Sequence, residues 1–131
     1  MTDPPAVTRP VLGSSSTGLD PHIAAMLAYL GWWITGVIVF VLEQENRYVR
    51  FHAMQAILAF GSLSAIGASL VAASLVTLFV SSEGFQVLMV AAQALLLAGF
   101  VAWVVCLGKA YGGERWKLPL VGPIAERIAE R

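Results

Sequence analysis

The chain has 131 residues, of which 58% are hydrophobic and 12% are charged, and its formal net charge is zero. About a quarter of the residues of a soluble domain are charged, so this composition excludes an ordinary soluble domain. We expect one small domain, and the neutral charge balance argues against a nucleic-acid partner. The single cysteine, Cys106, excludes an intrachain disulfide and a cysteine-based metal cluster, and we expect it to act as a small apolar side chain.

The chain begins with a polar segment, residues 1–19, which is rich in Pro, Gly, Ser and Thr and shows neither a helical nor a strand period. We expect a flexible tail there. A signal peptide is a poor fit, because the segment lacks a basic region and precedes an apolar run that is too long. Asp20 suits the N-cap of a helix that begins at Pro21, where the missing N–H of proline costs nothing.

Three apolar runs follow, at residues 22–42, 53–80 and 85–108, and Glu83 is the only charged residue from Ala53 to Gly108. Roughly 20 apolar residues of helix cross the hydrocarbon core of a bilayer. The sequence therefore predicts an all-α membrane protein with three transmembrane helices, the second and third forming an antiparallel hairpin. The second run is longer than a bilayer requires, so we expect it either to tilt as a straight helix or to bend at a glycine.

Two polar segments flank these runs. The joint at residues 43–50 contains Asn46, which suits the N-cap of the next helix. Residues 109–131 form the C-terminal segment, and residues 20–126 form the membrane domain. Within residues 123–131 the apolar side chains share one helical face, which is compatible with a short interfacial helix or with a frayed tail.

The basic residues are distributed unevenly between the polar segments. Seven of the eight lie in the joint and the C-terminal segment, whereas Arg9 alone lies in the N-terminal tail. Basic residues close to membrane spans stay in the cytoplasm. With three spans, this predicts a multi-pass protein of the bacterial inner membrane with its N-terminus outside and its C-terminus in the cytoplasm.

The sequence offers little support for catalysis. His22 and His52 would stand at opposite ends of the first span, about 30 Å apart in a straight helix, so they would not share a site. No metalloprotease, serine hydrolase or Cys-x-x-Cys pattern is present. We therefore expect a protein that is not an enzyme and that has no cofactor, catalytic residue or metal site.

Polar and small residues inside the spans indicate helix packing. Gln86 and Gln93 share a face of the third span, where they either line a polar path or hydrogen-bond to neighbouring helices, and we favour the second interpretation. Small residues at packing intervals, such as Ala24 and Ala28, allow close approach of helices within one chain or between chains. Trp32 and Trp33 lie near the middle of the first span, so we expect at least one to pack against protein.

The most distinctive surface is the predicted cytoplasmic face, where the joint and the C-terminal segment emerge together. One interpretation is a docking or head-group site; the other is that the basic residues only anchor the topology. The candidate interaction face comprises Asn46, Tyr48, Arg50, His52, Gln55, Lys109, Tyr111, Glu114, Lys117 and Glu126.

These two segments resemble a family of small bacterial membrane proteins of unknown function that is grouped with the membrane domain of the chloroplast inner-envelope import component of the Tic translocon. The resemblance rests on the run NRYVRFHAMQA at residues 46–56, and then on Lys109-Ala110-Tyr111, Glu114, Lys117-Leu118-Pro119, Gly122 and Ala125-Glu126. It covers residues 22–126. It implies a helical membrane protein, and it implies no catalytic residues.

The leading functional hypothesis is a non-enzymatic structural or interaction component that contacts the lipid bilayer, forms a homo-oligomer or binds another membrane protein, and assists protein translocation. The first alternative is an oligomeric channel or small-solute carrier lined by Gln86 and Gln93. The second is an enzyme acting on lipid head groups through His52 and the inner glutamates.

Overall fold

The computed structural model describes residues 12–131, and this part of the chain is all helical, without strands. It contains five helices: α1 (Pro21–Leu30), α2 (Trp32–Leu42), α3 (Arg47–Thr77), α4 (Ser82–Tyr111) and α5 (Val121–Ala129). The predicted caps are confirmed. Asp20 accepts a hydrogen bond from the backbone N–H of His22, and Asn46 accepts from the first turn of α3. Helix α3 is continuous through both of its glycines.

The region predicted as the first span is two short helices rather than one long helix. The break lies at Gly31 and Trp32, and Trp32 has a φ of 64°, which is rare for a bulky residue. The chain reverses there. The start of α1 lies beside the end of α4, where His22 Nδ1 is 3.1 Å from the Tyr111 carbonyl, and α2 leads back to the start of α3.

Helix α2 packs antiparallel to the first half of α3. A Cβ added at Gly36 would lie 3.0 Å from the Ala53 carbonyl oxygen and 3.1 Å from Ala56 Cβ, so a larger residue would push the two helices apart by a few tenths of an ångström. At the tip of the hairpin, the Trp32 indole N–H donates to Ser64 Oγ at 2.9 Å, near the middle of α3. The predicted packing of at least one of the two tryptophans against protein is therefore confirmed.

Polar groups at this break are satisfied by the protein, as a break at membrane depth requires. Thr35 Oγ1 accepts from the Gly31 N–H at 2.9 Å and donates to the Ala28 carbonyl at 3.2 Å. The Trp103 indole N–H reaches across from α4 to the Tyr29 carbonyl at 2.7 Å. Thr35 of α2 and Trp103 of α4 thus replace hydrogen bonds that an unbroken helix would make.

Helices α3 and α4 are both long and apolar enough to cross a membrane, with 31 and 30 residues. Each spans about 45 Å at 1.5 Å per residue, more than the hydrocarbon thickness. Only 17% of the most apolar 18-residue window of each helix is buried, whereas the core helix of a soluble protein is mostly buried. The predicted hairpin of two long apolar helices is confirmed, and its turn is residues 78–81.

The short C-terminal helix α5 packs against the first turns of α3. Ala125 and Ala129 are buried and contact Phe51, with Met54 and Leu58 at the edge of the contact. Ile124, which the sequence places on the same apolar face, is 52% exposed. Of the two predicted alternatives for this segment, the structure has the helix.

All described basic residues lie at one end of the bundle, here called the basic end, which comprises the joint, the C-terminal segment and residues 12–20. The predicted three spans are corrected to two long candidate spans preceded by a helical hairpin whose two ends both lie at the basic end. The N-terminal segment from Leu12 onward lies at the same end of the bundle as the C-terminal segment, and not at the opposite end as predicted. Arg9 lies outside the described residues.

Candidate functional site

A cluster of polar side chains lies inside the basic end. Tyr48, His52 and Gln55 occupy one face of α3, because their spacing of four and three residues follows the helical repeat. Tyr29 joins them from α1. We call these four side chains the polar cluster. All four are at most 3% exposed, and the structure brings the three α3 residues against the C-terminal segment.

The hydrogen bonds of the polar cluster define the state of His52. Its Nε2 lies 3.1 Å from the carbonyl of Glu114, and a carbonyl can only accept, so Nε2 carries the proton. In the neutral ring Nδ1 is then an acceptor, and the Tyr29 hydroxyl donates to it at 3.0 Å. Both ring nitrogens are thus occupied by groups of the same chain, and His52 is held as the neutral tautomer.

Gln55 uses its whole amide to join three parts of the chain. Its Nε2 donates to the Tyr29 hydroxyl and to the Trp116 carbonyl, both at 3.1 Å. Its Oε1 accepts from the Leu118 N–H, also at 3.1 Å. Tyr48 adds a further bond, because its hydroxyl donates to the Ala110 carbonyl at 2.5 Å. The polar cluster therefore fastens the C-terminal segment to α1 and α3.

The structure also places His22 at this cluster. Its ring lies 6.3 Å from the ring of Tyr48, which in turn lies 4.6 Å from the ring of His52. The two histidines stand on either side of one tyrosine, so the predicted separation of about 30 Å was wrong. The cause is the chain reversal at Gly31, which returns α2 to the end of the bundle where α1 began.

The charged members of the candidate face lie outside the polar cluster. Lys109 pairs with Glu114 at 2.7 Å, and Lys117 pairs with Glu126 at 2.6 Å. The four side chains are between 29% and 59% exposed, so each pair is open to solvent and contributes at most about 1 kcal/mol. Tyr111 is also 45% exposed, and its carbonyl is the partner of His22.

Arg50 and Asn46 hold the joint together. The Arg50 guanidinium lies 4.3 Å from the centre of the Phe40 ring and donates to the Glu43 carbonyl at 2.9 Å. The Asn46 side chain caps α3 and also donates to the carbonyls of Leu12 and Ser14, at 2.8 and 3.1 Å. The described part of the predicted tail is therefore bonded to the joint.

Glu43 is the fully buried carboxylate of the joint. It accepts from the hydroxyls of Ser15 and Ser16 and from the backbone N–H groups of Ser16, Glu45 and Asn46. Burial alone would raise the pKa of the Glu43 carboxyl, but hydrogen bonds from Ser15, Ser16 and the Asn46 backbone together lower this pKa from 4.5 to about 2. The charged carboxylate thus organises residues 12–16 around the joint.

We expect acid to release this segment. Because the folded-state pKa of Glu43 lies below its unfolded value, the stabilisation is complete above about pH 4.5 and is lost as the pH falls towards 2. Carbon-13 NMR of Glu43 in micelles should show a midpoint near pH 2, and hydrogen exchange at the Ser16 amide should accelerate over that interval. In Glu43→Gln that pH dependence should disappear. A native midpoint near 4.5 would contradict the prediction.

Gln86 and Gln93, the predicted packing residues, lie far from the polar cluster on α4. Both side chains are exposed on the apolar surface, and neither hydrogen-bonds to any residue of the described chain. Gln93 also lines a cleft of about 470 Å³ between α3 and α4, beside Trp32, Ser64 and Gly67. The small-residue face of α1 differs, because Ala24 and Ala28 are buried within the chain.

Sequence reasoning missed two residues of this region. Tyr29 lies within the first apolar run and was not among the predicted site residues; its signal is the neighbouring Gly31, where a helix can end. Glu43 was counted only as one of several inner carboxylates, and the run of serines at residues 14–16, which can donate hydrogen bonds to a carboxylate, is its signal.

Among residues 12–131, no group of three or more His, Cys, Asp or Glu side chains is placed to hold a metal ion. Cys106 lies buried in the apolar core.

Comparison with known proteins assigns the chain to a family. A model described as the magnetosome magnetite crystal formation protein family matches residues 19–125, which include the polar cluster and both long helices. The chain belongs to this family. No solved structure matches it.

The relatives within this family include proteins described as UPF0132 membrane proteins. One from Methanocaldococcus jannaschii is 38% identical over 119 residues, covering 91% of this chain and 97% of the relative. A second from that organism is 39% identical over 110 residues, covering 84% and 71%. One from Archaeoglobus fulgidus is 34% identical over 109 residues, covering 83% and 95%.

These matches correct the resemblance inferred from the two motifs. They support a family of small membrane proteins, as the motifs predicted. The relatives named above are archaeal rather than bacterial, and neither their descriptions nor that of the family refers to the Tic translocon. The resemblance to the chloroplast import component is therefore not supported.

Proposed function

We propose that this chain is a non-enzymatic membrane protein that acts by associating with a second copy of itself through the exposed face of α4. The observation that carries the proposal is the exposed amide of Gln93, which has no hydrogen-bond partner among residues 12–131. This residue lies more than two helical turns beyond Phe85, the first residue of the apolar run, and therefore at hydrocarbon depth. A polar amide in hydrocarbon without a hydrogen bond costs several kcal/mol.

A second copy is the partner that best suits an amide at this position. The carboxamide is both donor and acceptor, so two Gln93 side chains facing each other across a two-fold axis pair with each other. Interhelical bonds of this kind contribute about 0.6–2 kcal/mol in membranes. The residues that flank Gln93 on the same side, Val90 and Leu97, are 63% and 66% exposed and are free to pack across the axis.

The polar cluster supports the non-enzymatic part of the proposal. A general acid or base must reach the reacting group. His52 is 1% exposed, and both of its ring nitrogens are bonded to Tyr29 and Glu114. The cluster therefore has a structural role, and the surface that remains for an interaction at the basic end is its charged exterior.

The orientation follows from the charge distribution. Basic residues flanking the spans face the cytoplasm, so the basic end is cytoplasmic and the turn at residues 78–81 is outside. With two crossings, the N-terminal and C-terminal segments are both cytoplasmic. The proposed location is the cytoplasmic membrane.

Disulfide crosslinking tests the proposed association. In a Cys106→Ser background at low protein-to-lipid ratio, Leu97→Cys should form a crosslinked dimer, because Leu97 lies one turn from Gln93 on the same face. Ala98→Cys is the matched control, at the same depth but rotated by 100° around the helix. Adding Gln93→Leu to Leu97→Cys should lower the dimer-to-monomer ratio by roughly tenfold, the equivalent of about 1.4 kcal/mol.

Two outcomes would overturn the proposal. Equal crosslinking from positions 97 and 98 would indicate random collision, and an unchanged dimer fraction in Gln93→Leu would remove the amide from the interaction. Gln93→Asn keeps the carboxamide and should retain more dimer than Gln93→Leu. This comparison separates the hydrogen bond from a general effect of mutating this position.

The other functional hypotheses gain less from the structure. A channel lined by both glutamines would need them on one path, but Gln86 does not line the cleft that Gln93 lines, and most of that lining is apolar. The predicted role in protein translocation gains no support from the descriptions of the family and its relatives. The description of the family mentions magnetite crystal formation, and the proposed association is a membrane step compatible with such a role, without assigning iron chemistry to this chain.

A further inference from the structure

A second polar feature of the basic end is a cleft of about 610 Å³ between the end of α2, the start of α3 and the end of α5. We call it the basic cleft. Arg47 and Arg50 line it from α3, Arg131 lines it from the end of the C-terminal segment, and Phe40 and Val41 form its apolar wall. The cleft is separate from the polar cluster and from the face of α4.

The three arginines of the basic cleft have no carboxylate partner among the described residues, where the ion pairs involve Lys109 and Lys117 instead. Arg50 is held in place by Phe40 and by the Glu43 carbonyl, a contact that uses one of its five N–H donors. Arg47 lies one turn earlier on the same helix, and Arg131 approaches from another element. The cleft thus contains one fixed guanidinium and two that are free to close on a ligand.

The position of the basic cleft indicates the source of the ligand. Val41 and Leu42 are 64% and 59% exposed and continue the apolar surface of α2 up to the rim of the cleft. A ligand that places an anion against the arginines and hydrocarbon along α2 would satisfy both surfaces. Guanidinium groups bind phosphate oxygens in a bidentate manner, and juxtamembrane basic residues attract anionic lipids.

We propose that the basic cleft binds the phosphodiester head group of an anionic phospholipid from the cytoplasmic leaflet. Glu45 and Glu130 also line the cleft, but no arginine of the cleft pairs with either carboxylate in the described structure, so the guanidinium groups remain available to an anionic head group. The N-terminus of α3 is not the binding element, because the Asn46 side chain already bonds to the Tyr48 and Val49 amides. This binding does not depend on self-association.

Native mass spectrometry of the full chain in a neutral detergent tests the proposal. Phosphatidylglycerol and phosphatidylcholine are added separately, and the lipid retained by each chain is counted. We expect one phosphatidylglycerol per chain, retained roughly tenfold better than phosphatidylcholine, since each basic residue near a surface contributes about 1 kcal/mol. The double variant Arg47→Gln/Arg131→Gln should lose this preference.

A matched control is the double variant Arg115→Gln/Arg127→Gln, which removes the same charge from the same end of the protein but from residues outside the cleft. It should keep the preference. Equal losses in the two variants would indicate a general surface-charge effect and overturn the site. Displacement of phosphatidylglycerol by millimolar inorganic phosphate would indicate a site for free phosphate, and would also overturn the proposal. Circular dichroism verifies that both variants fold.

Discussion

Single cysteines placed in the N-terminal and C-terminal segments should be labelled from the same side of the membrane. In a Cys106→Ser background, we expect Ser14→Cys and Arg115→Cys to react with an impermeant thiol reagent in inside-out vesicles and to be protected in right-side-out vesicles. Ser82→Cys, at the first residue of α4 next to the turn, should show the opposite pattern. The physical reason is that α1 and α2 form a hairpin whose two ends lie at the basic end, so α3 and α4 are the two described helices that are long and apolar enough to cross a membrane.

The difference in labelling between inside-out and right-side-out vesicles should be close to complete, because a bilayer excludes a charged reagent. All three positions are exposed, so differences in labelling report the side of the membrane and not burial. Lysing the vesicles with detergent should make every position reactive, which is the control for intrinsic reactivity. If Ser14→Cys reacted on the side of Ser82→Cys, residues 22–42 would cross as a single helix and the hairpin would be refuted.

The second large effect is expected for Gln55→Leu. Leucine has nearly the volume of glutamine but leaves the Trp116 carbonyl and the Leu118 N–H without their partner, whereas the Tyr29 hydroxyl keeps its bond to His52 Nδ1. Each such group left unsatisfied costs about 1–3 kcal/mol, so we expect the C-terminal segment to be released from α3 by a loss of about 2 kcal/mol or more. Trypsin should then cleave after Arg115 and Lys117 much faster in inside-out vesicles.

The control is Gln44→Leu, which makes the same chemical change at an exposed position of the joint whose side chain has no hydrogen bond in the described structure. It should leave the cleavage rate unchanged. Gln55→Glu retains an acceptor for the Leu118 N–H but loses the two donors and places a carboxyl group in a buried site against the Trp116 carbonyl, so it should also speed cleavage relative to the native chain. Equal cleavage of the native and Gln55→Leu chains would show that the segment is held by other contacts.

The parts of the fold that depend on local sequence were predictable. Asp20 and Asn46 cap helices because their side chains reach the N–H groups of the next two or three residues, which is a local interaction. The two longest apolar runs predicted α3 and α4, since length and hydropathy suffice for that assignment. The existence of α5 was one of two alternatives, because nine residues do not form a stable helix without the surface of Phe51 and its neighbours.

The reversal in the first apolar run could not be predicted in the same way. Twenty-one apolar residues have the same composition whether they cross the membrane once or enter it and return. The distinction depends on contacts distant in sequence, such as the bond from Trp103 to the Tyr29 carbonyl and the close approach of Gly36 to Ala53. The positive φ of Trp32 is unfavourable for an isolated chain and persists because these contacts hold it.

The sequence predicted which residues form the candidate face better than it predicted what each of them does. The spacing of Tyr48, His52 and Gln55 placed them on one side of α3, and the end of α4 had to emerge beside them. Each of these three side chains bonds to a backbone carbonyl near the end of α4 or in the C-terminal segment. These bonds depend on the path of a segment without regular structure, which the sequence pattern does not reveal. The contribution of Tyr29 depends on the hairpin, which local patterns did not reveal.

The short α1–α2 hairpin makes the protein wider in one leaflet than in the other. Four helices share the half of the bundle next to the basic end, whereas only α3 and α4 continue beyond the hairpin tip at Trp32. With α3 and α4 as the spans, we expect each copy to displace more lipid from the leaflet at the basic end than from the opposite leaflet. Such a wedge would fit best in a bilayer that is convex on the side of the basic end, so we expect the protein to favour membranes that curve in this direction.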